Sequence, residues 1–152
     1  VPQAPRLYLY GLKSARLPEW FTEAFPTEYH RKQLFRSDTS GMQYARPFEG
    51  RANAPNVSAP ERAFLEMLSE VGTRQPLSEA RELAEGTYSL RSSVLGELLR
   101  DCTNVKTVRL CLYLGGELSL PWAKKLDPAS LPTGGHRPWV SRTNDGLLIL
   151  KS

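Results

Sequence analysis

In the stretch SAPERAFLEMLSEV, Ser58 to Val71, the apolar period of the chain changes from that of strands to that of helices, and the class of fold turns on that change. Phe64, Met67, Leu68 and Val71 fall at i, i+3, i+4 and i+7, the spacing of a stripe buried along one helix face, with Leu65 beside it. Ser58 and Glu61 have the S-x-x-E spacing of a capping box, in which each side chain satisfies a backbone N–H that the first helical turn leaves free. Pro60 is tolerated there because first-turn N–H groups lack intrahelical partners, and Gly72 marks the stop. The capping box accounts for Glu61 without catalysis. Arg62 is harder to place, since a cation in the first turn faces the positive end of the helix dipole. Its reading divides between a structural partner for a carboxylate of the β-rich half and a contact with an anion or partner molecule.

Upstream, the chain reads as strands. RLYLYGL, Arg6 to Leu12, is short, aromatic and ends at a glycine. LPEWFTEAF predicts a short helix that starts at Pro18, carries Glu19 and Glu23 in its early turns and ends at Pro26. Residues 29–36 and 42–49, aromatic and basic around the turn signal Asp38-Thr39-Ser40-Gly41, read as two further strands, the second weakened by Pro47. Downstream, PLSEARELAEG predicts a helix with Leu77, Ala80, Leu83 and Ala84 on one side, and SLRSSVLGELLRDC another through Leu95, Leu98 and Leu99. NVKTVRLCLYL has helical spacing, although its β-branched and aromatic content also fits a strand, and Gly115-Gly116 reads as the turn after it. A helical piece around PWAKKL follows, then a loop over 127–135. Asn144-Asp145-Gly146 between two apolar runs signals a terminal hairpin.

The expected class is therefore α+β, one domain over 1–152 with a β-rich part at 1–58, a helical part of four to five helices at 59–126 and a hairpin at 136–151. No stretch approaches the roughly 18 apolar residues of a membrane helix, and VPQAPRLYLYG lacks the features of a signal peptide, so the chain reads as a soluble, cytoplasmic piece of a longer protein. Cys102 and Cys111 match no metal-ligand framework and read as small buried hydrophobes. Net charge is +4, unevenly spread: residues 59–101 carry five Lys/Arg against eight acids, whereas residues 102–152 carry seven against three.

No enzyme, cofactor or metal signature emerges. His30 and His136, the only histidines, lie in no nucleophile-elbow or metal-ligand spacing and read as solvated or turn residues. TGGH lacks a Walker lysine and the Rossmann spacing, which makes it a flexible loop rather than a phosphate cradle. Glu79, Glu82 and Glu85 read as a solvated helix face. The helix pair across 76–102 has the mixed charge of ordinary packing rather than of a DNA-reading helix-turn-helix. The basic candidates for an interaction surface are Arg62, Lys106, Arg109, Lys124 and Lys125, with Arg31, Lys32 and Arg36 from the β-rich part.

LPEWF at Leu17–Phe21, SAPERAFLEML at Ser58–Leu68, LLRDCTNVKTVRLCLYL followed by PWAKKLD at Leu98–Asp127, and the basic hairpin HRPWVS to LLILK occur in this order along the chain. In combination they make it resemble the AbiEi antitoxins of type IV toxin–antitoxin systems, from about Leu7 to the end. The resemblance implies a bacterial autoregulator that counters a nucleotidyltransferase-type toxin, with operator DNA bound by an N-terminal winged helix-turn-helix and antitoxin action in the domain after it. This chain corresponds to the second domain, so operator binding belongs to a module upstream. It departs from the family at Leu114-Gly115-Gly116-Glu117, where relatives tend to be basic. Two other readings stand beside it: a nucleic-acid-binding or nuclease-like domain using the basic strands with Glu61 or Asp101, and a dimerisation domain that lets two upstream modules meet an inverted repeat.

Overall fold

Along Leu7–Gly11 the side chains alternate, so Tyr8 and Tyr10 share one face while Leu7 and Leu9 take the other. This strand, β1, pairs in parallel with β2, Thr27–Arg31, from Leu7 opposite Thr27 to Gly11 opposite Arg31. Parallel neighbours need a crossover, and the short helix α1, Glu19–Ala24, supplies it between Pro18 and the extended Phe25. The computed structural model describes residues 6–11, 16–36, 45–47, 56–143 and 146–151. They belong to two bodies, residues 1–33 and 34–152. In the first body His30 is 6% exposed, stacks on Tyr10 with ring centroids 5.1 Å apart, and lies 3.5 Å from a Glu28 carboxylate oxygen. The expectation of a solvated histidine is corrected: strand alternation places His30 on the same side as the tyrosines.

The segment expected as one strand over 29–36 divides. Its first part is β2, and Leu34–Phe35 instead meets the end of a helix in the second body, with Thr103 N donating to Leu34 O at 2.8 Å and Arg36 N to Asp101 O at 2.7 Å. Of the strand expected over 42–49, Ala45–Pro47 is β3; the turn at 38–41 lies outside the described residues. β3 pairs antiparallel with β4, Asn56–Ser58, an element the sequence did not signal.

The helical part follows its apolar periods. It comprises α2 (Pro60–Ser69), α3 (Leu77–Glu85), α4 (Ser92–Asp101) and α5 (Val105–Glu117). α5 is helix and not strand, capped by the Asn104 side chain, which accepts from Thr107 N at 3.0 Å. It is the central element: Val108, Leu110, Cys111 and Leu114 are fully buried against Leu65 and Leu68 of α2 and Leu95, Leu98 and Leu99 of α4. Each such leucine contributes roughly 1.5–3 kcal/mol by leaving water. Gly115 and Gly116 are not a turn, since α5 continues through them. Gly115 is required for close packing: a Cβ there would come within 2.7 Å of the Trp122 ring and of Ala123 Cβ. Both cysteines are buried thiols, and burial pushes the Cys111 thiol far up.

The chain ends as an antiparallel hairpin, β5 (Trp139–Thr143) with β6 (Gly146–Leu150), Val140 opposite Ile149. Gly146 has φ +120, a conformation that suits the glycine of the expected turn; Asn144 and Asp145 lie outside the described residues. Leu148 and Leu150 face the core. The class is α+β, with strands first, helices in the middle and a hairpin at the end. Among the described residues no helix is long and apolar enough to cross a membrane.

Candidate functional site

The α2 stretch and the basic residues around it form a polar frame on the apolar core. At the helix start the capping box does not form. Ala59 is the N-cap and Pro60 the first helical residue, which places Ser58 one position too early, in β4. The Ser58 hydroxyl instead donates to Glu66 at 2.9 and 3.2 Å. Glu61, 2% exposed, accepts from Arg91 across thirty residues of sequence: Nε to Oε1 at 2.9 Å, Nη2 to Oε2 at 3.0 Å, and the Arg91 backbone N–H to Oε1 at 2.9 Å. This forked geometry favours the ionised acid, and the hydrogen bonds from Arg91 hold the Glu61 carboxyl down at about 2. The pair joins the first turn of α2 to the N-cap of α4 and occupies both Glu61 oxygens.

Arg62 points elsewhere. Its Nε donates to Glu66 Oε1 at 2.9 Å, one turn along, and its guanidinium lies 5.6 Å from the centroid of the Phe35 ring. Glu66 is 6% exposed, and burial pushes its carboxyl up, against the pull of Arg62 and Ser58. Of the two readings of Arg62, the geometry supplies the structural one, with the carboxylate on its own helix rather than in the β-rich half.

The far end of α2 is closed by Lys106. Its buried ammonium donates to Ser69 O at 2.6 Å and Val71 O at 2.8 Å, placing a cation at the negative end of the helix just before Gly72, whose φ is +93. Three residues on, Arg109 is 4% exposed and donates to backbone carbonyls: Thr133 at 2.5 Å, Gly135 at 2.6 Å, Arg137 at 2.8 Å and Leu150 at 3.0 Å. The TGGH loop is thus tied down through its carbonyls, the opposite polarity to a phosphate cradle, and Gly134, φ +77, lets it approach Val105 and Arg109. Sequence reasoning did not assign these roles to Arg91, Glu66 and the 133–137 carbonyls; only the pairing of Glu66 with Arg62 at i,i+4 was visible as a local spacing.

Of the basic surface candidates, Arg62, Lys106 and Arg109 therefore point inward. Lys124 and Lys125 are exposed on a 3-10 turn, Ala123–Lys125. Lys125 and Arg100 line an open groove of about 340 Å³ with Ser92 and Ser93. Arg31 is exposed and Lys32 half-buried at the end of β2 in the first body. Among the described residues no group of three or more His, Cys, Asp or Glu side chains converges as a metal site.

The class these residues define is an α+β chain whose buried ions serve its own packing and whose hydrated cations lie outside that frame. A family model described as transcriptional regulator, AbiEi antitoxin, type IV toxin–antitoxin system, matches residues 4–151. The chain belongs to this AbiEi antitoxin family. No curated protein and no solved structure shows a significant match.

Proposed function

We propose that the chain is the non-enzymatic antitoxin domain of a cytoplasmic, phage-defence regulator, and that the toxin it counters is of the nucleotidyltransferase class. The observation that carries this reading is the family match over residues 4–151, which spans both bodies and supports treating them as one functional domain. The geometry is consistent with it, because the acid of the PERA motif is consumed by Arg91 and the inward-facing cations serve the fold. The interaction surface we assign is Lys124 and Lys125 on the second body; Arg31 and Lys32 are a separate candidate on the first body. Operator DNA is bound through a DNA-binding module elsewhere in the protein, and pairing of two copies matches an inverted repeat. The test is protection of cells from the toxin encoded by the adjacent reading frame. Full-length protein protects, and protein lacking residues 4–151 does not; protection retained without them refutes the assignment.

A second reading, nucleic-acid binding by this chain itself, is favoured by the groove in which Arg100 and Lys125 outnumber its one acid, Asp127. Binding of short duplex DNA that weakens steeply with salt and is lost in Arg100→Ala/Lys125→Ala supports it; no binding at low salt removes it.

A further inference from the structure

Two surfaces of the body 34–152 expose apolar side chains beside charged ones. The first is on α3. Leu83 belongs by spacing to the apolar side of that helix, yet it is 51% exposed whereas Ala80 and Ala84 are fully buried, and Tyr88 just beyond the helix is 68% exposed. The expectation that Leu83 is core is corrected here. Glu79 and Glu82 flank it in solvent, and among the described residues neither has an ion-pair partner; the nearby Arg81 is engaged by Glu117 at 2.6 Å.

The second surface is the outer face of the hairpin. Val140 and Ile149 are directly opposite one another, and Leu147 opposes Arg142. These three apolar side chains are 54%, 47% and 61% exposed. Arg137, Arg142 and Lys151 are exposed around them, and no acid pairs with any of the three among the described residues. The face is rigidly presented, because Leu148, Leu150 and the Arg109 bonds fix the opposite side of the hairpin to α5.

We propose that the two surfaces dock on each other between two copies of the chain, the hairpin of each copy seated on α3 of the other. Charge selects this pairing: hairpin on hairpin would oppose arginine to arginine or lysine, and α3 on α3 glutamate to glutamate, whereas hairpin on α3 opposes unlike charges around apolar centres. Area selects the reciprocal form. The exposed apolar side chains lie on two separate surfaces, so only a two-fold dimer in which both contacts form covers all of them and approaches the roughly 1,200 Å² of a stable interface. A single head-to-tail contact covers half of that and leaves both surfaces open at its ends, giving chains rather than a closed pair.

This inference rests on the pairing of copies in the proposed function, and one experiment separates the two. Sedimentation velocity of the chain is measured over about 1–500 µM, the range in which interfaces of this size associate. The wild type forms a dimer. Arg142→Glu and Glu82→Arg, both at exposed positions and both checked for unchanged circular dichroism, each weaken association at least about tenfold. An equimolar mixture of the two variants restores the dimer, because one of its two contacts then pairs the introduced acid with the introduced base in reversed sense and the other contact is wild type. A wild type that stays monomeric refutes both the surface and the pairing of copies. A dimer indifferent to both substitutions, a mixture that fails to restore it, or growth into chains refutes this surface and leaves pairing by another route.

Discussion

Lys106 and Arg109 lie on α5 at 8% and 4% exposure, while Lys124 and Lys125 lie on a short turn with their side chains in solvent. All four carry the same charge, but the first two have backbone carbonyls in place of water and the second two keep their water. A buried cation with four hydrogen-bonded carbonyls is costly to remove, because the carbonyls lose their donors and remain desolvated. A hydrated lysine can be removed almost freely, so its value lies in whatever approaches it. Charge alone therefore says little about function in this chain until burial is known.

The largest effect is expected at Arg109. Arg109→Ala lowers unfolding free energy by about 3–4 kcal/mol in urea titration, since the loop at 133–137 and the end of β6 lose a common anchor. Next comes Glu61, whose carboxyl is held near 2 against an ordinary 4.5. A depressed acid stabilises the fold fully above its unfolded value, and that contribution disappears as pH falls from about 4.5 towards 2. Because Arg91 is 53% exposed, solvent screening reduces the contribution well below what the shift alone implies. Glu61→Gln should therefore be less stable than wild type at pH 7 and approach it in acid; a constant gap across that window contradicts the pair.

Glu66, five residues along the same helix, has the opposite sign. Its carboxyl is raised by burial, so ionising it costs stability and protonation on acidification relieves that cost. Arg62→Ala removes the cation that offsets this cost and should destabilise by about 1–2 kcal/mol at pH 7, with the loss narrowing at lower pH as Glu66 takes up a proton. Thermal melts of wild type and variant across the acid range read this out. The smallest effect belongs to Lys124→Ala/Lys125→Ala, expected within about 0.5 kcal/mol of wild type. Loss of toxin protection by that variant at unchanged stability widens the contrast between the two kinds of cation; unchanged protection moves the surface elsewhere.

The sequence disclosed what short-range spacing controls. The stripe from Phe64 to Val71, the helices after it, the buried cysteines and the terminal pairing of β5 with β6 all follow from periods and turn chemistry. It misled where a local pattern met a distant partner. The Ser58–Glu61 spacing is that of a capping box, but pairing of Ser58 with β3 starts the helix one residue later, and the partner of Glu61 is thirty residues away. Gly115-Gly116 looked like a turn because nothing local records the Trp122 ring that needs the missing side chain. The candidate surface was least legible, since Arg62, Lys106 and Arg109 read as basic whether they face water or carbonyls.

Urea unfolding of Arg109→Ala beside Lys124→Ala/Lys125→Ala decides whether inward and outward cations differ as their burial requires. The first variant is expected to lose about 3 kcal/mol or more and the second less than about 0.5 kcal/mol. Equal stability of the two variants would contradict the division.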